Sequence, residues 1–283
     1  MKRTIKLGAS FSGKISTGSY ENTNPGFYAE EVFELEGDNN VADSVIQSRQ
    51  SDLHQICYRQ FSELEQRLIA ERIQKERKEF RFYLTESGEQ YPSVTSFLNY
   101  DADFFMPEPE LQQYASCGNI THARVEEFIK SGKWVDPKEI GDMWTDIVIV
   151  KGGNLQLNID CGDFPSFLKK YPISNMRNGS RGFNHEHRYA GTDDFQGIPE
   201  FKDCEKVDTL FDVKRTPEKV KNFMQLASYA KRKGWENIKQ LCIIPLNDKT
   251  DQGYSKPIVT TEIDNYFKMA MDKRQAFKKR YGI

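Results

Sequence analysis

The sequence contains few cysteines, and their spacing excludes two kinds of site. Five of its 283 residues are cysteine, scattered as Cys57, Cys117, Cys161, Cys204 and Cys242, and no two of them stand at CxxC spacing. An odd number without a framework argues for reduced thiols and against disulfides. It also argues against an iron–sulfur cluster, because such a cluster needs four thiolates brought together.

Long apolar runs are also absent. No stretch approaches the roughly 18 uninterrupted apolar residues that a membrane span needs. The N-terminal segment begins with Lys2 and Arg3 but lacks the apolar core of a signal peptide. We therefore expect a cytoplasmic protein, with a bacterial or phage-infected host cell favoured, or a nuclear or organellar protein if the source is eukaryotic. The net charge of −2 shows no global excess of positive charge that would announce a nucleic-acid partner.

The hydropathy pattern predicts two modules. Residues 1–36 alternate apolar and polar side chains around Gly and Asn turns, which is typical of a hairpin. Residues 41–79 contain no Gly or Pro and carry apolar residues at helical spacing, which predicts one or two helices. We therefore predict an N-terminal strand-and-helix module over residues 1–79. The pattern does not indicate its function, but recruitment of a protein partner or self-association through it is open.

The second predicted domain, residues 80–283, is of the α/β class, with a central mixed sheet flanked by helices. Thr216 is the predicted N-cap of its third helix and Pro217 the first residue of that helix. The predicted strands are residues 80–84, 147–151, 156–159, 185–196, 207–214 and 238–245, and the predicted helices are residues 93–98, 120–131, 217–233 and 262–280.

Two apparent binding motifs fail on inspection. The segment from Gly8 to Lys14 nearly spells a phosphate-binding P-loop, but Ile15 stands where a magnesium-binding hydroxyl is needed, so a hairpin is favoured. His185 and His187 alternate on one predicted strand and would face the same way. No cysteine or third histidine lies at ligand spacing, so ordinary strand positions are favoured over a zinc site.

The tripeptide Asp212-Val213-Lys214 stands out by its context. Acid-x-lysine tripeptides are common by chance, and residues 76–78 and 136–138 are two others in this chain. Asp212-Val213-Lys214, however, ends an apolar predicted strand, and the strand alternation puts Asp212 and Lys214 on the same face. It is therefore a candidate site where the other two are not.

Further polar residues stand at spacings that fit such a site. Asp194 lies eighteen residues upstream of Asp212 on another predicted strand and supplies a second carboxylate. Gln225 and Tyr229 are four residues apart on the helix that follows, and so share a face of it. His122 and Glu126 have the same spacing on an earlier predicted helix.

Phosphodiester hydrolysis needs parts of this kind. The phosphate is anionic and repels hydroxide, so hard cations must neutralise it and lower the pKa of the attacking water. Carboxylate oxygens are natural ligands for Mg²⁺. A lysine beside them can orient the water or stabilise the charge that develops.

Five segments, in the order of the chain, resemble the motifs of the PD-(D/E)XK nuclease superfamily, and especially its RecB-like branch with the mitochondrial genome maintenance exonuclease type and its phage relatives. They lie within residues 90–232, a range of about half of the chain, and no single segment is specific. The segments are YPSVTSFL at 91–98 against the PSVT segment, GNITHARVE at 118–126 against the GTxxHxxxE helix, YAGTDD at 189–194 against the GTxD strand, DVK at 212–214 against (D/E)xK, and QLASY at 225–229 against QxxxY.

The resemblance implies a restriction-endonuclease-like core and a metal-dependent DNA exonuclease that acts on single-stranded DNA or DNA ends. It implies Mg²⁺ or Mn²⁺ as the cofactor, with a water activated by the cation as the nucleophile. The implied metal-site residues are His122, Asp194, Asp212 and Val213, and the implied catalytic residues are Lys214, Asp212, Asp194, His122, Gln225 and Tyr229.

The sequence departs from the family pattern at two positions. Asn119 replaces the usual threonine, and Asp193 adds a carboxylate that should point to the opposite face from Asp194, so it is left out of the site. Glu126 and Glu186 are weaker candidates, Glu186 as an outer ligand.

Two alternatives stay open. An endonuclease or nickase would use the same site, and a protein of another class, a DNA-binding or scaffold protein, would keep the fold without the chemistry. Basic residues cluster where DNA would run, although a basic helix C-terminus is also an ordinary complement to the helix dipole. They are Lys219, Lys221, Lys231, Arg232 and Lys233 around one predicted helix, and Lys268, Lys273, Arg274, Lys278, Lys279 and Arg280 on the last.

Overall fold

The chain forms two compact units, Met1–Glu79 and Phe80–Ile283, which divide where the change in sequence pattern predicts a boundary. A computed structural model describes residues 2–16, 22–36, 39–101, 108–140, 162–202, 204–232, 237–247 and 250–283. The strands predicted at residues 147–151 and 156–159 lie outside the described residues, as do Cys161 and Lys233.

The first unit is a long hairpin with one helix packed on it. Strands β1 and β4 are 11 residues each and pair antiparallel from Lys2↔Glu36 to Ser12↔Gly26, which confirms the hairpin and the rejection of the P-loop. Its elements are β1 Lys2–Ser12, β2 Ile15–Ser16, β3 Asn22–Thr23, β4 Gly26–Glu36 and α1 Asn39–Glu79.

Helix α1 is a single helix of 41 residues that covers one face of the hairpin. Leu53, Cys57 and Phe61 are its buried residues. The ring of Phe61 lies 5.0 Å from that of Phe11 on β1, and the Cys57 thiol donates a hydrogen bond to the Ala9 carbonyl. Because strand side chains alternate, the other hairpin face is left exposed, and it includes the large side chains of Tyr28 and Val32.

The second unit contains a central five-stranded mixed sheet flanked by helices. The strand order is β13-β12-β11-β10-β7; β11 and β12 are parallel and the other pairs are antiparallel. Two small hairpins, β5–β6 and β8–β9, accompany it. The strands are β5 Phe82–Leu84, β6 Gln90–Pro92, β7 Ile173–Asn178, β8 Arg181–Asn184, β9 Tyr189–Thr192, β10 Phe195–Pro199, β11 Thr209–Lys214, β12 Gln240–Pro245 and β13 Ile258–Thr260.

The helices of this unit lie on both faces of the sheet. They are α2 Val94–Asn99, α3 Glu108–Ser131, a 3₁₀ turn Pro137–Glu139, α4 Phe164–Lys170, α5 Lys219–Ala230 and α6 Ile263–Tyr281. Helix α5 links β11 to β12, and a helical crossover is what a parallel pair of neighbouring strands requires. Helices α5 and α6 pack together, with the rings of Phe223 and Tyr266 5.1 Å apart.

The central strands are apolar along almost their whole length because both of their faces are covered. All six residues of β12 are buried, as are the first five of β11. Phe211 and Val213 join Phe195, Phe164 and Val125 in a cluster that packs the sheet against α3 and α4. Alternation then puts Leu210, Asp212 and Lys214 on the opposite face of β11, as predicted.

Two helices begin elsewhere than predicted. Helix α3 begins at Glu108 and not at residue 120. The prediction began too late because Gly118 and Asn119 have low helix propensity, yet the helix continues through them. Helix α5 begins at Lys219, with Glu218 and not Thr216 as its N-cap. Its first turn is held by the Asn222 side chain, whose carbonyl oxygen accepts from the Glu218 N–H at 2.7 Å.

The prediction of one strand over residues 185–196 was wrong. That stretch is a turn followed by two strands, β9 and the start of β10, and His185 and His187 lie in the turn between β8 and β9. The two histidines do not alternate on a strand: His185 contacts the Tyr91 hydroxyl at 3.2 Å, and His187 packs on Phe267. Strands β7, β8 and β13 and helix α4 were not predicted, because each is short and flanked by polar residues.

Cys57, Cys117, Cys204 and Cys242 are free thiols. Within the described residues, no helix is long and apolar enough to cross a bilayer.

A buried ion pair joins the corner between β9 and β10 to the end of helix α5. The Arg232 guanidinium donates to the Asp193 carboxylate at 2.5 Å, and both side chains are completely buried. Arg232 also donates to the carbonyls of Ser180, Gly191 and Tyr229. Burial raises the pKa of Asp193, and the opposing effect of Arg232 only partly offsets it.

We predict that Asp193→Ala destabilises this unit by about 3–5 kcal/mol, because it leaves the Arg232 charge buried without its counter-ion. Urea unfolding followed by tryptophan fluorescence measures the effect, since all three tryptophans of the chain belong to residues 80–283.

The matched control is Asp208→Ala. Asp208 also pairs with an arginine, Arg177 at 3.4 Å, but the two side chains are 35% and 60% exposed. We expect that substitution to cost less than about 1 kcal/mol. Equal losses in the two variants would contradict the importance of burial for the Asp193–Arg232 pair.

Candidate functional site

Asp212 and Lys214 lie at the end of the central strand β11. Asp212 is only 1% exposed. The Lys214 ammonium donates to Asp212 Oδ1 at 2.7 Å, an i,i+2 pair that alternation in a strand makes possible. Val213, between them, points its side chain into the core on the other face of the sheet.

Asp194 reaches β11 from the corner between β9 and β10. The sequence predicts Asp194 on a strand, but the residue lies in the link between β9 and β10. Its Oδ2 accepts a hydrogen bond from the Val213 N–H at 2.7 Å. The Asp194 carbonyl accepts from the Gly179 N–H at 2.8 Å. A Cβ at residue 179 would lie 1.9 Å from the backbone oxygen of Asp193. Glycine is therefore needed at this position for the chain to pass so close to the β9–β10 corner.

His122 approaches the same carboxylate from helix α3. Its Nδ1 lies 3.0 Å from Asp194 Oδ2, which is ion-pair distance, although this buried nitrogen makes no hydrogen bond of good geometry. The prediction that His122 lies with the two aspartates is therefore confirmed as a matter of position.

Gln225 and Tyr229 bring helix α5 to the site. The Gln225 side-chain amide donates to the Tyr229 hydroxyl at 3.0 Å, which leaves the Tyr229 O–H free to donate elsewhere. The Tyr229 ring lies directly over Gly191, where an added Cβ would fall 2.3 Å from its Cε1. Glycine at this position is therefore a condition for the placement of Tyr229.

All these elements surround one cavity of about 470 Å³. Asp212 lies beneath it, buried, and its carboxylate is paired with the lining residue Lys214. The cavity lining is mostly polar and comes from β5, α2, α3, the β9–β10 corner, the end of β11 and α5; it comprises Arg81, Tyr83, Ser93, Thr95, Asn99, Asn119, His122, Gly191, Thr192, Asp194, Lys214, Thr216, Glu218, Lys221, Asn222, Gln225 and Tyr229.

The oppositely charged groups of the site shift one another's pKa values towards the ionised forms. Burial would raise the pKa of Asp194, but the charge of His122, together with Lys214 and the Val213 N–H, lowers it below its usual value. Burial lowers the pKa of His122, and the Asp194 carboxylate more than reverses this. The pKa of Lys214 is likewise raised, since its pairing with Asp212 and Asp194 outweighs burial.

Asp212 is the carboxylate whose charge is least compensated. Burial raises its pKa to about 6 against the lowering effect of Lys214, and repulsion from Asp194 adds to the rise. Burial also raises the pKa of Tyr229, so this side chain is a neutral phenol.

One observation at this site fits a divalent cation. Asp212 Oδ2 is buried and has no hydrogen-bond partner, and an unpartnered buried carboxylate oxygen is costly unless something charged approaches it. However, no three His, Cys, Asp or Glu side chains within the described ranges form a ready-made metal-binding group. In this arrangement Lys214 donates to Asp212 Oδ1, and the Val213 N–H donates to Asp194 Oδ2, with His122 Nδ1 beside the same oxygen.

Several sequence candidates do not reach this site. Glu126 is exposed on α3 and lines a different surface pocket with Glu139 and Lys130. The Glu186 side chain is 85% exposed in the turn between β8 and β9. Neither residue is close to the two aspartates.

The basic clusters are also different from what the sequence predicts. Arg232 is not a surface residue, and Arg274 is buried and donates to the carbonyls of Ile283 and Arg188. Lys231 pairs with Asp264 and Lys273 with Asp101, both at 2.5 Å. Lys221 alone of the basic residues singled out in the sequence lines the cavity as it is described.

Sequence reasoning missed several lining residues. Lys221, which the sequence assigns to a basic cluster where DNA would run, also stands four residues before Gln225 on the same helix face, a spacing that indicates the cavity. Arg81 lies just before β5 and Tyr83 lies on it. No sequence motif marks either residue, because only the tertiary packing of the β5–β6 hairpin brings them to the cavity.

Comparisons with known proteins give little further guidance. No family model matches the chain, and no curated protein matches it. One solved structure, described as "Crystal structure of SSO0001", matches with 11% sequence identity over 65% of this chain and 84% of the other, at a TM-score of 0.24. A similarity at that level does not establish a common fold.

Proposed function

We propose that this protein is a metal-dependent nuclease of the PD-(D/E)XK type that hydrolyses phosphodiester bonds of DNA. The observation that carries the proposal is that His122, Asp194, Asp212 and Lys214, which come from three separate parts of the chain, converge at one polar cavity. A structural role alone does not account for two carboxylates, an imidazole and an ammonium grouped around a buried, unpartnered oxygen.

Asp194 and Asp212, with His122 and Val213 beside them, are the residues that would hold Mg²⁺ or Mn²⁺. Such a cation would neutralise the scissile phosphate and lower the pKa of an attacking water. Carboxylate oxygens suit either ion, and an imidazole nitrogen favours Mn²⁺ over Mg²⁺.

Lys214 has two roles in this proposal. Without a metal its ammonium balances Asp212. With the Asp212 oxygens otherwise engaged, the ammonium is free to donate to a water or to a phosphate oxygen in the cavity, where a dry environment strengthens the interaction. In the metal-free site the neighbouring Asp212 and Asp194 raise the pKa of Lys214, so the side chain is protonated there.

Gln225 and Tyr229 form a fixed hydrogen-bonding pair on the other wall. Because Gln225 occupies one lone pair of the phenol, the Tyr229 O–H is directed away from Gln225. A neutral phenol there is suited to orient Lys214 or a backbone phosphate of the substrate.

The choice of DNA and of exonuclease activity is supported by the five motif segments of the sequence. The direct test is incubation of the full chain with end-labelled linear DNA and with covalently closed circular DNA, each with EDTA, Mg²⁺ or Mn²⁺. Metal-dependent loss of the linear substrate alone would support an exonuclease, and cutting of the circle would support an endonuclease or nickase. No cleavage of either, with DNA bound, would favour a binding or scaffold protein.

We predict that Lys214→Ala lowers the cleavage rate by about 10²–10³-fold or more, the usual cost of removing one donor to the reacting centre. DNA affinity should change little, since affinity comes from many phosphate contacts. Mn²⁺ should bind at least as tightly as in wild type, because no ammonium then competes for Asp212 Oδ1.

Lys206→Ala is the matched control, an exposed lysine before the opposite end of the same strand. It should cleave at the wild-type rate. If Lys214→Ala lost DNA binding and cleavage in equal measure, Lys214 would be a docking residue.

We predict a different result for His122→Ala. Removing the imidazole beside Asp194 should weaken Mn²⁺ binding by about 10- to 100-fold, measured by isothermal titration calorimetry. Saturating Mn²⁺ should restore part of the cleavage, which it should not do for Lys214→Ala.

His187→Ala serves as the control, since His187 lies in the β8–β9 turn and packs on Phe267. An unchanged Mn²⁺ affinity in His122→Ala would remove His122 from the metal site and leave the proposal resting on Asp194, Asp212 and Lys214.

A further inference from the structure

Two arginines from distant parts of the chain, Arg81 just before β5 and Arg181 on β8, converge on one tyrosine ring beside the cavity. The guanidinium carbon of Arg81 lies 4.7 Å from the centroid of the Tyr83 ring, and that of Arg181 lies 5.2 Å from it. Arg81 and Tyr83 both line the cavity that contains Asp194 and Lys214. Both arginine residues are exposed, whereas Tyr83 is 6% exposed.

The backbone beneath the first arginine is fixed. Ser96 Oγ on α2 accepts from the Arg81 N–H at 3.0 Å and donates to the Arg81 carbonyl at 3.2 Å. The Ser93 N–H donates to the same carbonyl at 2.8 Å. The main chain that carries the Arg81 side chain is therefore tied to α2 and its N-cap.

The tyrosine and the second arginine are held equally well. Tyr83 packs in a buried cluster with Tyr91 and Ala190. Arg181 on β8 stands opposite Thr192 on β9, and Thr192 lines the cavity two residues before Asp194. The ring thus joins the β5–β6 hairpin to the β8–β9 hairpin, and it brings together Arg81, which lines the cavity, and Arg181, the strand neighbour of a lining residue.

Neither arginine has a carboxylate partner within the described residues, although other exposed arginines of this unit do. Arg177 pairs with Asp208, and Arg188 pairs with Glu89 at 2.9 Å while also lying over an aromatic ring. Two uncompensated cations held at one ring together attract an anion. Planar guanidinium groups match the oxygens of a phosphate especially well.

We infer that Arg81 and Arg181, held against Tyr83, bind a second backbone phosphate of the same DNA strand whose scissile phosphate lies at Asp194 and Lys214. This inference rests on the proposed function for the identity of the ligand. It gives the substrate strand a direction across the site, from the end of β11 towards the β5–β6 hairpin.

The test is binding of a short 5′-fluorescein-labelled single-stranded oligonucleotide to the full chain, measured by fluorescence anisotropy in EDTA over a series of salt concentrations. We expect Arg81→Ala and Arg181→Ala each to raise Kd about tenfold. Each should also reduce the slope of log affinity against log salt by about 0.7, the value for one lost single-strand phosphate contact. Arg81→Lys and Arg181→Lys should keep the slope but lose part of the affinity, since the charge remains without the planar fork.

Arg177→Ala is the matched control, because it removes an exposed arginine that already has a carboxylate partner. It should leave Kd and slope unchanged. Wild-type Kd and slope in both arginine-to-alanine variants, an equal effect in Arg177→Ala, or no binding by the wild-type chain would each overturn the inference. If binding depends on Arg81 and Arg181 but the wild-type chain cuts no DNA with Mg²⁺ or Mn²⁺, the phosphate site stands and the proposed activity fails.

Discussion

The corner between β9 and β10 positions the candidate site, and two neighbouring aspartates fix it from opposite sides. Asp193 points into the buried pair with Arg232 at the end of α5. Asp194 points the other way, to the Val213 N–H on β11 and to His122 on α3. Because a corner tied on both sides cannot rotate, the orientation of the Asp194 carboxylate is set by a residue that never faces the cavity. The position of Tyr229 depends on the same corner, since its ring rests on Gly191.

The site combines groups that a fold selected for stability alone would not place together. Asp212 is buried at the end of an otherwise apolar strand, with the half-buried Asp194 and Lys214 beside it. The desolvation of such charges is repaid only when every lone pair is satisfied. Asp212 Oδ2 is not satisfied. Burial and repulsion from Asp194 raise the pKa of Asp212, and a bound cation would oppose both effects. An unfavourable buried charge at the wall of a cavity is expected where the residues serve ligand binding and not the stability of the fold.

The parts of this structure that follow from sequence are those governed by local periodicity. The hairpin and helix of residues 1–79, the central strands, and the shared face of Asp212 and Lys214 follow from alternation and helical spacing. The start of α5 does not, because a side chain four residues into the helix, Asn222, competes with Thr216 as the cap. The turn at His185 and His187 looked like a strand because its polar residues alternate, and only the pairing of β8 with β9 reveals it.

Basic residues illustrate why the rest of the site needed tertiary structure. Counting charges along the sequence selects Arg232, Arg274, Lys231 and Lys273, yet each is engaged by a carboxylate or by backbone carbonyls. Arg81 and Arg181 are a hundred residues apart, and only the packing of two small hairpins places them on one ring. A polyanion interacts mainly with cations that have no partner inside the protein, so the number of basic residues in the sequence is a poor guide to where it binds. A chain of net charge −2 can therefore present a cationic track beside its carboxylates, provided that its other cations are paired within the fold.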